Sequence, residues 1–203
     1  MSQGLHLFII DGNSSRRAQL CRAMAEHRVY SVPFETRAEL LDHWPREGVL
    51  LVEDREDNIA GLIAEMVRRG DWLPIIAFSD QAGARRVVQA ISEGAIDYLE
   101  FPASALEIIE AALQVEGDSG VRSARLREAQ ARSRMNRLTP REKDVLLGVV
   151  DGQTNRLIGE RLAISPRTVE IHRANMLRKL DASHSGEAIR IAIEASMNCP
   201  AVH

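Results

Sequence analysis

Apolar runs of strand length recur through the first half of the chain: LHLFII at 5–10, VYSV at 29–32, GVLLV at 48–52, PIIAF at 74–78 and DYLEF at 97–101. Between them, apolar positions fall three and four apart over Arg16–Glu26, Thr36–Trp44, Ile59–Arg69, Ala84–Glu93 and Ser104–Gln114, the spacing of amphipathic helices. Runs that are continuously apolar, not alternating, suit strands covered on both faces. Five such strands alternating with five helices require right-handed crossovers, and hence a parallel α/β sheet. Functional residues of open parallel sheets gather beyond the carboxyl ends of the strands. Those ends carry Asp11, Glu53 with Asp54, Ser79, and Glu100-Phe101-Pro102.

Past residue 115 the pattern changes. Gly117, Asp118, Ser119 and Gly120 mark a break, and an Ala/Arg-rich stretch of good helix formers follows. Thr139-Pro140-Arg141-Glu142 then joins a hydroxyl cap, a proline at the first helical position and a glutamate three residues after the cap. This predicts a helix over 140–150 that Gly152 ends in a left-handed conformation. Thr154 caps a second helix to Leu162, Ser165-Pro166 opens a third to Leu180, and a fourth runs from about Ser185 to Met197. Two short helices joined by a tight turn read as a helix-turn-helix. The expected organisation is a five-stranded parallel (βα)5 domain at 1–118, a basic helical linker at 119–137 and an all-α four-helix domain at 138–203.

Charge sharpens the division. The net charge of −3 over 203 residues conceals a front segment, 1–119, at −9, a connector with six arginines against one glutamate, and a nearly neutral remainder. The basic connector is read as solvated with occasional contacts to nucleic-acid phosphates; pairing with the acidic front half is the alternative. No apolar stretch approaches the roughly 20 residues that span a bilayer, and the start MSQGLHLFIIDG lacks a signal-peptide pattern, so a cytoplasmic protein without membrane contact is expected. Cys21 and Cys199 form neither a disulfide framework nor a metal-ligand spacing. With no Gly-rich phosphate loop and no assembled nucleophile, base and metal, the chain is read as a non-enzyme.

Residues 4–115 resemble the receiver domains of bacterial two-component response regulators. The resemblance implies an acid pair after the first strand that holds a divalent cation, a phosphorylated Asp after the third, a hydroxyl after the fourth and Lys-Pro after the fifth. Here Asp11 is followed by Gly12, eight residues back from Gly61 lands on Glu53, Ser79 keeps the hydroxyl, Tyr98 holds the aromatic switch position and Phe101 replaces the Lys before Pro102. The acid pair, the nucleophile and the lysine are all altered. A divalent cation on Asp11 and Glu53 is therefore disfavoured and no other cofactor is expected. Asp54 is the alternative acceptor, but alternation along a strand turns it away if Glu53 faces the pocket. Glu53 is a poor nucleophile because its extra methylene misplaces the carboxylate by about 1 Å.

Without the lysine the clustered carboxylates repel, so either one takes a proton or a cation neutralises them. The expectation is a fixed hydrogen bond from Glu53, with Ser79 as the candidate partner, that locks the domain in one state; a decayed pocket retained as a dimerisation scaffold is the alternative. The receiver resemblance implies a homodimer through the fourth helix, fifth strand and fifth helix, a face with Arg85, Arg86, Asp97 and Glu107.

LTPREKDVLLGVVDGQTNRLIGERLAISPRTVEIHRANMLRKL, within 138–197, is similar to the DNA-binding domain of LuxR/FixJ-type transcription regulators. The resemblance implies that the third helix of this domain enters the major groove of double-stranded DNA. On its wheel Val169, Met176 and Leu180, with Leu177 beside them, face the core; Arg167, Ile171, Ala174 and Arg178 face away. Glu170 and Ile171 are assigned to base edges with Asn175 as a further candidate, and Arg167, Thr168, Arg178, Lys179 and Asn155 to phosphates. Arg173 is left open between a DNA contact and an internal bridge, and His172 is read as a packing or phosphate-facing residue. These readings make the chain a transcriptional regulator whose receiver is not controlled by Asp phosphorylation. The alternative is an interaction module whose receiver binds an antagonist protein, a kinase or a small ligand.

Overall fold

The computed structural model describes residues 4–55, 57–116 and 119–196. Contacts divide the chain into Met1–Leu126 and Arg127–His203. In the first unit β1 (His6–Ile10), β2 (Tyr30–Phe34), β3 (Val49–Glu53), β4 (Ile75–Ser79) and β5 (Asp97–Glu100) form one parallel sheet in the order β2-β1-β3-β4-β5. Helices α1 (Ser14–Glu26), α2 (Arg37–Asp42), α3 (Asn58–Arg69), α4 (Ala84–Glu93) and α5 (Ala105–Val115) alternate with the strands. The order reverses between β1 and β3, so the carboxyl ends of these two strands open the crevice where such sheets hold their sites.

One face of the sheet buries Leu7, Ile9, Val49, Leu51, Ile76 and Phe78 against Leu20 and Met24 of α1 and Ile108, Ala111 and Ala112 of α5. The alternate strand residues Phe8, Ile10, Leu50, Val52, Ile75 and Ala77 are buried on the other face, where α2 and α3 contribute Leu40, Ile59, Leu62 and Met66. Both faces are covered, which is why the strands read as continuous apolar runs. Several boundaries differ from expectation by one or two residues, α2 for instance ending at Asp42 and not Trp44. β2 extends to Phe34 through Pro33, which an edge strand tolerates because one side of it needs no ladder donor. α1 begins two residues early, at Ser14, because the Asn13 side chain accepts from the Ser15 and Arg16 amides.

The second unit holds α7 (Pro140–Val150), α8 (Asn155–Leu162), α9 (Pro166–Leu180) and α10 (Ser185–Ser196). Thr139, Thr154 and Ser165 each cap their helix through the hydroxyl, and Gly152 takes φ 71° after α7. Val145, Val149, Ile158 and Val169 form one buried cluster; Leu138, Leu146, Met176, Leu180, Ala188 and Ile191 form another. The turn between α8 and α9 packs close to α8 because residue 159 is glycine: a Cβ there would lie 2.7 Å from the Ile164 carbonyl oxygen.

Helix α6 (Ser119–Met135) covers most of the expected linker. Several of its arginines bond to protein groups, so the linker is not solvated throughout, while Arg127 is exposed. Arg122 donates to the main-chain carbonyls of Trp72 and Arg46 at 2.9 and 3.2 Å, and Arg132 pairs with Glu128 at 2.8 Å. Residues 117 and 118 of the expected break, the end of the fourth helix at Met197, and Cys199 lie outside the described residues. No described helix is long and apolar enough to cross a membrane.

Candidate functional site: a plugged acidic pocket and a helix-turn-helix surface

At the carboxyl ends of β1, β3 and β4 three acids converge on one guanidinium. Arg16 stands in the first turn of α1, and its side chain reaches back over the helix start into the crevice. Its Nε lies 2.6 Å from Asp11 Oδ2 and its Nη2 2.8 Å from Asp11 Oδ1, a two-pronged pair with a carboxylate of zero exposure. The same Nη2 lies 2.6 Å from Glu53 Oε1, and Nη1 lies 2.6 Å from Asp80 Oδ2. Below the guanidinium are two rings, Phe78 and Phe101, with centroids 5.2 and 5.9 Å from its central carbon.

Phe101 stands where the resemblance calls for lysine; its ring is buried against Phe78 with centroids 4.5 Å apart. The lost positive charge is supplied from another element. Three carboxylates, Asp11 first, raise the pKa of Arg16 further, so this counterion does not titrate in any working range.

The geometry corrects one expectation. The second Glu53 oxygen accepts from the Gly12 main-chain N–H at 3.0 Å, while Ser79 Oγ accepts from the Gln81 N–H at 3.1 Å. Glu53 is thus fixed by hydrogen bonds, but its partners are Gly12 and Arg16. The Arg16 guanidinium lies within 2.6 Å of both Asp11 and Glu53, the two carboxylates on which a divalent cation would depend. Arg16 and Asp80 were not among the residues singled out from sequence. The available signal was charge balance: carboxylates collected without a lysine call for a cation, and Arg16 lies five residues beyond Asp11.

Asp54 follows a separate course. Its side chain is fully buried and turned toward α4 and β5, where Arg86 Nε donates at 2.7 Å, Arg86 Nη2 also donates, and the Tyr98 hydroxyl donates at 2.9 Å. Burial, then the bond to Asp54, pushes the Tyr98 phenol up to about 12. Of the residues expected on a dimer face, Arg85 is exposed. Arg86 is spent on Asp54, Asp97 accepts from the Tyr98 N–H, and Glu107 completes the α5 capping box with Ser104.

In the second unit α9 presents Arg167, Glu170, Ile171, Ala174 and Arg178 outward, as the wheel predicts, with Thr168 and Asn175 partly covered. Ile171 is 53% exposed, an apolar side chain left on an otherwise polar stripe. Arg167 pairs with Glu170 at 2.8 Å and Arg178 donates to Asn175 Oδ1 at 3.0 Å, so the outward residues are pre-arranged in pairs.

Three assigned residues are held inside the unit. Arg173 donates to Asn155 Oδ1 and to Ser185 Oγ, both at 2.7 Å, and so ties α9 to the starts of α8 and α10. The internal bridge is the arrangement adopted, and it occupies Asn155 as well. Lys179 Nζ lies 2.7 Å from Glu142 Oε2 and points inward. That oxygen also accepts from the Thr139 N–H at 2.8 Å. Burial pushes the Glu142 carboxyl up, but the Lys179 and Thr139 bonds outweigh it and leave it below the usual range.

A doubly wound sheet with an acidic crevice, followed by a four-helix helix-turn-helix unit, defines a response-regulator architecture. Comparison with known proteins agrees. Residues 136–192 match the family of bacterial regulatory proteins of the luxR type. The transcriptional regulatory protein FixJ of Azorhizobium caulinodans is 30% identical over 97% of this chain and 96% of its own length. The C4-dicarboxylate transport transcriptional regulatory protein DctR of Rhodobacter capsulatus is 31% identical over 90% of this chain and 96% of its own. The crystal structure of full-length FixJ from B. japonicum superposes with a TM-score of 0.51 at 25% identity, covering 97% of this chain and 99% of that one. The chain belongs to the FixJ-type response regulators, which are DNA-binding transcriptional regulators with a luxR-family domain.

Proposed function

We propose that this protein binds a specific DNA sequence as a homodimer, through α9, without phosphorylation of its receiver. The observation that carries the proposal is Arg16. Its guanidinium occupies the space between Asp11 and Glu53 in which a cation and an incoming phosphoryl group would have to assemble. Displacing it would leave a fully buried Asp11 carboxylate uncompensated, and Phe101 offers no charge to grip a product. The alternative acceptor, Asp54, already accepts from Arg86 and Tyr98.

One experiment tests this directly. Wild type incubated with acetyl phosphate and Mg²⁺ is expected to keep its intact mass, and to bind a duplex selected from a random library equally well before and after treatment. A phosphoryl-sized gain that disappears in Glu53→Ala or Asp54→Ala, accompanied by tighter binding, overturns the proposal.

Toward DNA, Glu170 accepts from a cytosine amino group and Ile171 packs on a thymine methyl, with Asn175 as a further base contact. Arg167, Thr168 and Arg178 face phosphates. Asn155, Arg173 and Lys179 act on α9 from within, as positioning residues. A dimer is required because one such unit reads a single half-site, and two half-sites lie about one helical turn apart. Glu170→Ala is expected to erase about 1–3 kcal/mol of discrimination at one base pair, seen as a degenerate position when sites are reselected. An unaltered site preference removes Glu170 from the base-reading set.

A further inference from the structure

Glu53 and Asp54 are adjacent, yet their carboxylates belong to different networks. The main-chain N–H of Asp54 continues the ladder to the Phe78 carbonyl at 2.7 Å, which fixes the backbone and directs the two side chains apart. Glu53 goes to Arg16. Asp54, with no exposure, receives three donors: two from Arg86 in the first turn of α4 and one from Tyr98 on β5. One buried anion therefore joins the end of β3, the start of α4 and the middle of β5.

Beyond this anion, α4 packs on α3 and β5. Only Ala90 of this helix is buried, whereas Val88 and Ile91 are 66% and 42% exposed. A helix with so small an apolar footprint gains little orientation from packing. Its first turn is pinned instead through Arg86, and the Tyr98 ring is held inward by its hydroxyl. On the outside of α4 the exposed Val88 and Ile91 are thereby held in one arrangement.

We infer that Asp54 is a positioning residue, a permanent internal anion that holds Tyr98 inward and fixes the first turn of α4, and with it the exposed Val88 and Ile91, in one arrangement. The inference rests on the reading that the receiver works without phosphorylation, and it names the group that makes this workable. A buried carboxylate is covalently part of the chain, so no phosphatase removes it. The arrangement it holds persists as long as the domain is folded.

The two tyrosines provide the test, because Tyr98 is inward and Tyr30 is 62% exposed. The full chain labelled with 3-fluorotyrosine should give two ¹⁹F resonances, assigned with Tyr30→Phe. In wild type the Tyr98 signal is shielded from solvent and indifferent to acetyl phosphate. In Asp54→Asn, which keeps the shape and removes the charge, it should move toward the solvent-exposed position of Tyr30. Hydrogen exchange over 84–93 should accelerate about tenfold or more, the scale of losing hydrogen bonds to a charged group. Arg86→Gln should accelerate exchange similarly, and the double variant no further.

Should Asp54→Asn fail to fold, Tyr98→Phe keeps the ring and removes one donor, and must still loosen α4. An unchanged Tyr98 signal and unchanged α4 exchange in Asp54→Asn, or in Tyr98→Phe where that stands in, overturn the inference. Failure of the phosphorylation-independent reading looks different: a mass gain in wild type, with the fluorine result standing or falling separately.

Discussion

Arg16→Ala is expected to lower the melting temperature of the receiver by roughly 12–20 °C, the largest loss for any single substitution outside the apolar core. Removing one partner of a buried ion pair costs about 3–5 kcal/mol, and a unit of this size shifts by about 4 °C per kcal/mol. Asp11 has no exposure and the Arg16 side chain only 13%, so solvent does little to replace the lost partner. Asp80, at 66% exposure, adds little to the total. Arg16→Lys should fall between, because one ammonium cannot meet Asp11 with two prongs and Glu53 at the same time.

The same variant has a second signature. With the guanidinium gone, Asp11 and Glu53 face an open space with two negative charges, and Mg²⁺ at about ten times its dissociation constant should restore about 1.4 kcal/mol. Wild type should show no such dependence. A melting temperature in Arg16→Ala within a degree or so of wild type, or Mg²⁺ stabilisation of wild type, sinks the assignment of Arg16 as the resident counterion.

Lys179→Ala is expected to destabilise the helix-turn-helix unit by about 2–3 kcal/mol, less than a fully buried pair because Lys179 is about a third exposed. Glu142 would remain as a covered carboxylate with only its Thr139 bonds. DNA affinity should fall evenly across sequences, through the population of the folded unit and the setting of α9. The slope of log affinity against log salt should not change. Arg178→Ala, by contrast, should reduce that slope by about 0.9, as a lost phosphate contact does. A comparable reduction from Lys179→Ala would return the lysine to the phosphate-contacting set.

The pair also carries a pH signature. The Glu142 carboxyl is depressed in the folded unit, so it contributes stability above its unfolded value, about 4.3, and that contribution is lost as pH falls through the folded value. Wild type should therefore lose stability over that acid range more steeply than Glu142→Gln, as followed by circular dichroism.

Much of this was legible along the chain. Helices α7, α8 and α9 each announce their start through a hydroxyl and, in two cases, a proline, because capping is a matter of three or four consecutive residues. Continuous apolar runs located β1, β3 and β4, which are covered on both faces, whereas the edge strands β2 and β5 carry polar residues within shorter apolar runs. Counting back from Gly61 singled out Glu53, whose carboxylate the structure places in the crevice beside Gly12 and Arg16. Side-chain partners were less accessible. Lys179 reads from sequence as a phosphate contact and Arg173 as either a DNA contact or an internal bridge, yet each finds an acceptor on another element, 37 and 18 residues away.

The elements, their order, the junction between two unlike halves and the presence of Glu53 at the end of β3 all follow from local periodicity and residue identity. Only the tertiary structure decided how the stranded carboxylates are neutralised. Glu53 meets Arg16 across 37 residues and Asp54 meets Arg86 across 32, while the chain neighbours Glu53 and Asp54 turn to opposite networks. Charge compensation acts through space over a few ångströms, and any arginine in the linear sequence is an equal candidate until the sheet has brought the strand ends together.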